Sequence, residues 1–216
     1  MSSARDRVFA NLQAAMQQGG FKAPETGAPL PLELSRQERI DRLKTLMENM
    51  HTEVYVVEAD AWLNTLKDLL RQRALNGLVY GPGTPLAAAL ESSWENELPP
   101  LIPYNEEIER FKERLFTIDA GITTTRGGIA ETGALILWPD TREPRLLSLV
   151  PAVHIAVLPA DTIYNSFTDA MNSERWQEGM PTNVLLISGP SKTADIELVL
   201  TFGVHGPKEL IVLIVD

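Results

Sequence analysis

Apolar positions recur along this chain in two rhythms. Val8, Phe9, Leu12 and Met16 fall on one helical face, so residues 1–18 predict a short amphipathic helix. Ile40, Leu43, Met47 and Met50 form a second stripe behind Ser35 and Glu38, whose spacing is that of a capping box. Asp60 stands where a cap opens a third helix carrying Leu63, Leu66 and Leu70, and Asn105 stands likewise before Ile108, Phe111 and Leu115. The other rhythm is continuous. Residues 53–57, 77–80, 116–122, 134–138, 154–158, 184–188 and 210–215 are apolar or β-branched segments of strand length. Several lack alternation, as expected of strands covered on both faces. Helices are predicted over 161–177 and 193–202. Strands alternating with helices indicate an α/β layered fold with a largely parallel sheet. In such folds ligands collect in the loops at the carboxyl ends of the strands.

The glycine- and proline-rich stretch over 19–34 cannot continue a helix and reads as a linker. The expected organisation is an N-terminal helix (1–18), a linker (19–34) and one α/β domain (35–216). The first helix docks either on its own body or on a partner. Composition narrows the functional classes. With 44% hydrophobic residues among 216, the chain can bury a sizeable core. A net charge of −10 and the lack of a basic stripe argue against nucleic acid as a partner. No apolar run reaches the roughly 20 residues of a membrane span, and the start lacks a secretory core, so a cytoplasmic location is expected. There is no cysteine, which removes thiol nucleophiles and iron–sulfur ligation by this chain. His51, His154 and His205 show no metal-ligand spacing, and no metal site is expected.

Three loops carry candidate chemistry. In the first, Thr125, Gly128 and Thr132 supply hydroxyls and accessible backbone for a ligand, and Glu131 sits next to an apolar strand. Glu131 is either a partly desolvated general base or nucleophile, or a solvated turn residue. In the second, Gly189, Ser191 and Thr193 lie between a strand and a predicted helix. They seat an anion at the helix N-terminus or simply cap it. Asp195 shares a helical face with Leu198, Val199 and Phe202, and it complements the helix dipole or orients His205. The third loop holds His205 and Gly206, with His205 either catalytic or structural. Glu131, Asp195 and His205 are thus the catalytic candidates around one expected pocket for a small anionic ligand.

The segments GGIAETGALIL, ISGPSKTADIEL and GVHGP, in this order, resemble the LUD-domain family, in its lactate utilization protein C (LutC/YkgG) group. The resemblance spans residues 35–216, and the helix-plus-linker beginning is similar too. It implies a Rossmann-like α/β fold related to the NagB, RpiA and CoA-transferase superfamily. It also implies a part in oxidising L-lactate to pyruvate, beside two iron–sulfur partner proteins that carry the redox centres, with no cofactor on this chain. Three functional classes stay open. They are a non-redox subunit of such a system, an enzyme acting on a small anionic or CoA-linked substrate through Glu131, and a ligand-sensing or assembly module.

Overall fold

Parallel strands buried on both faces need helices on both sides, and the continuous apolar runs near the end of the chain meet that condition. The computed structural model describes residues 4–18, 33–106, 108–194 and 200–216. The chain divides into two units, Met1–Pro31 and Leu32–Asp216. The first contains α1 (Ala4–Gln18), on which Val8 and Phe9 are exposed. Residues 19–32 of the expected linker lie outside the described residues.

The second unit begins with α2 (Arg36–Asn49), β1 (Glu53–Val57), α3 (Trp62–Arg71), β2 (Leu78–Tyr80), α4 (Pro85–Ser93) and β3 (Leu101–Pro103). It continues through α5 (Ile108–Leu115), β4 (Ala120–Thr124), β5 (Gly127–Ile129), β6 (Ala134–Leu137) and β7 (Val153–Pro159). Then come β8 (Ile163–Tyr164), α6 (Phe167–Ser173), β9 (Leu185–Ile187), β10 (Lys192–Ala194), β11 (Leu200–Phe202) and β12 (Glu209–Val215).

Six strands form the main sheet in the order β1-β12-β7-β4-β2-β3, every neighbouring pair parallel. Strand β12 shows how both faces are filled. Leu210, Val212 and Ile214 join Ile40, Leu43 and Met47 of α2, while Ile211 and Leu213 join Leu66, Leu70 and Leu90 from α3 and α4. A second sheet, β8-β5-β6-β9, covers the α2 side, and β10 and β11 form a separate antiparallel pair. From β2 the chain steps to β3 on one side, and from β4 it steps to β7 and β12 on the other. The carboxyl ends of β2 and β4 therefore flank the topological switch point of the sheet.

Local signals account for several boundaries. The capping box of α2 forms, with Glu38 N–H donating to Ser35 Oγ and Ser35 N–H donating to the Glu38 carboxylate. Other expectations are corrected. Asp60 does not cap α3, whose N-cap is Ala61 without a side-chain bond. The strand expected over 116–122 shifts to β4, because Phe116 is 75% exposed just past α5 and the buried run begins at Ala120. The helix over 161–177 shrinks to α6, since Ile163 and Tyr164 instead pair with β5.

The helix over 193–202 is replaced at both ends by strands, with Thr193 facing Thr201 across the pair. Its apolar positions fit a helical period, but the backbone finds partners farther away. Ser191 N–H donates to the Pro207 carbonyl at 2.9 Å, and the Ser191 carbonyl accepts from Gly203 N–H at 3.0 Å. A strand leaving Ser191 can make those bonds and still pair with its return.

Candidate functional site

Two polar openings lie at opposite ends of the main sheet. The first is a cavity of about 330 Å³ lined by His154, Ser188, Ser191, Lys192, His205 and Gly206, among others. It brings together Gly189, Ser191, His205 and Gly206 of the sequence-derived set. Ser191 fastens the two loops: besides its two backbone bonds, its Oγ accepts from His205 N–H at 3.3 Å. Gly206 packs over it, where a Cβ would stand 3.3 Å from Ser191 Cβ. The Ser191 N–H is therefore occupied, and residues 192–194 form a strand where the anion seat required the first turn of a helix. His205 itself is exposed, and Lys192 Nζ lies 3.3 Å from His51 Nδ1.

The floor of this cavity was not evident as a site. His154, the second residue of β7, is fully buried and lines the cavity. Its Nε2 meets Thr123 Oγ1 at 2.9 Å, while Nδ1 has no hydrogen-bond partner. Burial lowers its pKa to about 4, so the ring is neutral at pH 7. His154 stood out in the sequence only as an imidazole inside an apolar run. Since Pro207 leads into β12 and His154 lies near the start of β7, the cavity sits at the amino ends of these strands, not at the carboxyl ends where ligand-binding loops are expected.

The remaining sequence-derived residues are elsewhere. Glu131 and Thr132 are exposed in the turn joining β5 to β6, where Glu131 N–H donates to the Asn165 carbonyl at 3.0 Å. Neither lines the cavity. That turn closes on Gly133, whose φ of +65° suits glycine and whose missing Cβ makes room for Leu46. Gly128 is a packing position, where a Cβ would press on Leu43 at 3.1 Å and Leu158 at 3.2 Å. Thr193 belongs to β10, and Asp195 lies outside the described residues.

Thr125 belongs to the second opening, a cleft of about 220 Å³ at the switch point. Its lining includes Thr84 beyond β2, Thr124 and Thr125 at the end of β4, and Arg126, Arg142 and Glu143. Glu143 is held from below: Thr124 N–H donates to both carboxylate oxygens at 3.1 and 3.2 Å, and Thr124 Oγ1 donates to one at 2.5 Å. Burial raises the Glu143 pKa, and the bonds from Thr124 only partly oppose it. Gly81 makes the placement possible, since a Cβ there would lie 2.4 Å from the Arg142 carbonyl oxygen and 2.6 Å from Glu143 Cγ. In the sequence Glu143 sits within PDTREPR and reads as a solvated loop residue; the glycine after β2 was the available hint. Among the described residues, no group of three or more His, Asp or Glu converges as a metal site. No helix is long and apolar enough to cross a membrane, among the same residues.

Comparison with known proteins agrees with this architecture. Residues 40–215 match the LUD domain family. An uncharacterized protein of Neisseria meningitidis serogroup B is 38% identical over 83% of this chain and 78% of its own length. Lactate utilization protein C 1 of Bacillus mycoides is 31% identical over 85% of this chain and 81% of its own. Lactate utilization protein C of Bacillus subtilis is 26% identical over 98% and 94% respectively. The crystal structure of a DUF162 family protein from Deinococcus radiodurans has the same fold, with a TM-score of 0.63 at 22% identity, covering 85% of this chain and all of that one. The chain belongs to the LUD domain family, in its lactate utilization protein C group.

Proposed function

We propose that this chain is the non-redox subunit of an L-lactate utilization system, working in the cytoplasm beside two iron–sulfur proteins that carry the electrons. The observation behind this reading is its likeness to lactate utilization protein C of Bacillus mycoides and Bacillus subtilis over most of both chains. The sequence fits that division of labour: without cysteine it has no thiolate for a conventional cluster.

The amino-end cavity is the seat of a small anionic ligand in this reading. Lys192 supplies a cation at its wall, and its volume of about 330 Å³ is at the low end of small-molecule sites. The test is recovery of a tagged chain with its partners, followed by lactate-dependent dye reduction. The complex should reduce the dye, whereas the isolated chain should be colourless and inactive. Reduction by the isolated chain, or unimpaired growth on lactate after its deletion, would refute the assignment.

A further inference from the structure

We propose that the switch-point cleft is a second ligand site, for a small carboxylate bearing a further hydroxyl or carbonyl oxygen, with Arg126 facing the carboxylate and Glu143 the other oxygen. The site does not depend on the amino-end cavity; only the choice of lactate and pyruvate as test compounds rests on the proposed function.

Position comes first. Open α/β sheets bind ligands where strand order reverses, at the carboxyl ends, and this cleft lies there, between the loops that follow β2 and β4. At about 220 Å³ it is smaller than the roughly 300–1,000 Å³ of drug-sized sites, which selects a compound of few atoms.

The walls provide two unlike recognition points. Arg126 is about half exposed, and its Nε pairs with Glu174 while the guanidinium lies 5.3 Å from the Trp138 ring centre. Its two terminal nitrogens have no hydrogen bond among the described residues, so a fork suited to a carboxylate remains open. Arg142 is less available, because its Nε and Nη2 are bound to Asp140 at 3.2 and 3.0 Å.

Glu143 is built into the cleft. Asp140 Oδ1 accepts the N–H groups of Arg142 and Glu143, both at 2.8 Å, which fixes the loop, and Gly81 clears the space beneath it. A carboxyl group offers about four acceptor sites. Thr124 supplies two donors, which leaves capacity facing the cleft. Among the described residues no salt bridge neutralises Glu143. The charged groups around it are Asp140 and Arg142 on its own loop, with Arg126 and Arg145 in the surrounding walls. A carboxyl biased toward its neutral form by burial can donate to a ligand oxygen without repelling a ligand anion.

Titration of the full chain with L-lactate, pyruvate and inorganic phosphate, followed by calorimetry and backbone amide NMR, tests this. Lactate or pyruvate should bind saturably and shift the amides of Gly83, Thr124, Thr125 and Arg126, leaving those of Gly189, Ser191 and Gly206 unmoved. Affinity should weaken as pH rises through the Glu143 titration, because a carboxylate there repels the bound anion. Arg126→Gln should lose about tenfold or more in affinity with its melting temperature kept. Glu143→Gln should keep the low-pH affinity, since the amide still donates, and abolish the pH dependence. Amide shifts confined to 189–191 and 205–206 would overturn the second site while supporting the amino-end cavity. Absence of binding at tens of millimolar, or phosphate binding indifferent to both variants, would overturn it as well.

Discussion

The two ends of the main sheet each hold a titratable side chain that burial biases toward its neutral form, yet the two are built differently. At the amino end, His154 is sealed beneath loops that Ser191 ties together, with Thr123 as its one partner. At the carboxyl end, Glu143 is only half-buried, braced by Thr124 on one side and open to a cleft on the other. The contrast separates a group that shapes a cavity from one placed to meet a ligand. It also shows that loops rich in glycine, proline and histidine do not by themselves mark the carboxyl ends of strands.

The sharpest way to break this comparison is through pH. The folded pKa of His154 is about 4, against an ordinary 6.5, so the ring takes up a proton on unfolding anywhere between those values. Its contribution is complete above about pH 6.5 and drains as pH falls toward 4, by about 3 kcal/mol in all. Urea unfolding across that range should show this loss in the wild type and a flatter profile in His154→Leu. Thr123→Val should keep the slope while losing about 1–3 kcal/mol at every pH, because it orphans the second ring nitrogen. Matching profiles for wild type and His154→Leu would mean the ring is not sealed.

The carboxyl end responds to a methyl group. Gly81→Ala drives a Cβ against the Arg142 carbonyl and Glu143 Cγ, so the 140–143 loop must move. A loss of about 2 kcal/mol is expected, together with loss of the Glu143-dependent pH effect on ligand binding. Unchanged binding would show that the loop tolerates displacement. A smaller effect belongs to Ser191→Ala, which removes one long hydrogen bond and leaves both backbone bonds in place. It should cost about 0.5–1 kcal/mol by thermal melting, without altering the pH profile.

The smallest effect should come from deleting residues 1–30. The capping box of α2 and the bond from Leu34 N–H to Asn165 Oδ1 lie beyond that cut, so the remaining unit should melt cooperatively within about 0.5 kcal/mol of the full chain. Insoluble product would place the first helix in the core instead.

What could be read from sequence was what local chemistry decides. Ser35 and Glu38 cap each other three residues apart, and the runs that became β7 and β12 needed no information beyond their own apolar side chains. The failures share a cause. Leu198, Val199 and Phe202 fit a helical stripe, but bonds from Ser191 to Gly203 and Pro207, invisible to periodicity, favour strands at both ends. Gly189, Ser191, His205 and Gly206 line one cavity because they flank the β10–β11 pair. Glu131 shares no such closure with them. Glu143 was missed for the opposite reason, since only the strand order tells that its loop hangs over β2 and β4.

Strand order also governs when the molecule can be finished. Among the described strands β1 neighbours β12 alone, and Glu53 lines up with Ile211. During synthesis β1 emerges early and has nothing to pair with until almost all of the second unit has followed it. Contacts so distant along the chain close slowly. Until then α2, whose Ile40, Leu43 and Met47 pack in one cluster with Val54 of β1 and with Leu210, Val212 and Ile214, has only part of its cover. A ribosome stalled before Leu210 would thus carry an unmatched strand edge and a half-covered helix, the kind of surface that chaperones bind.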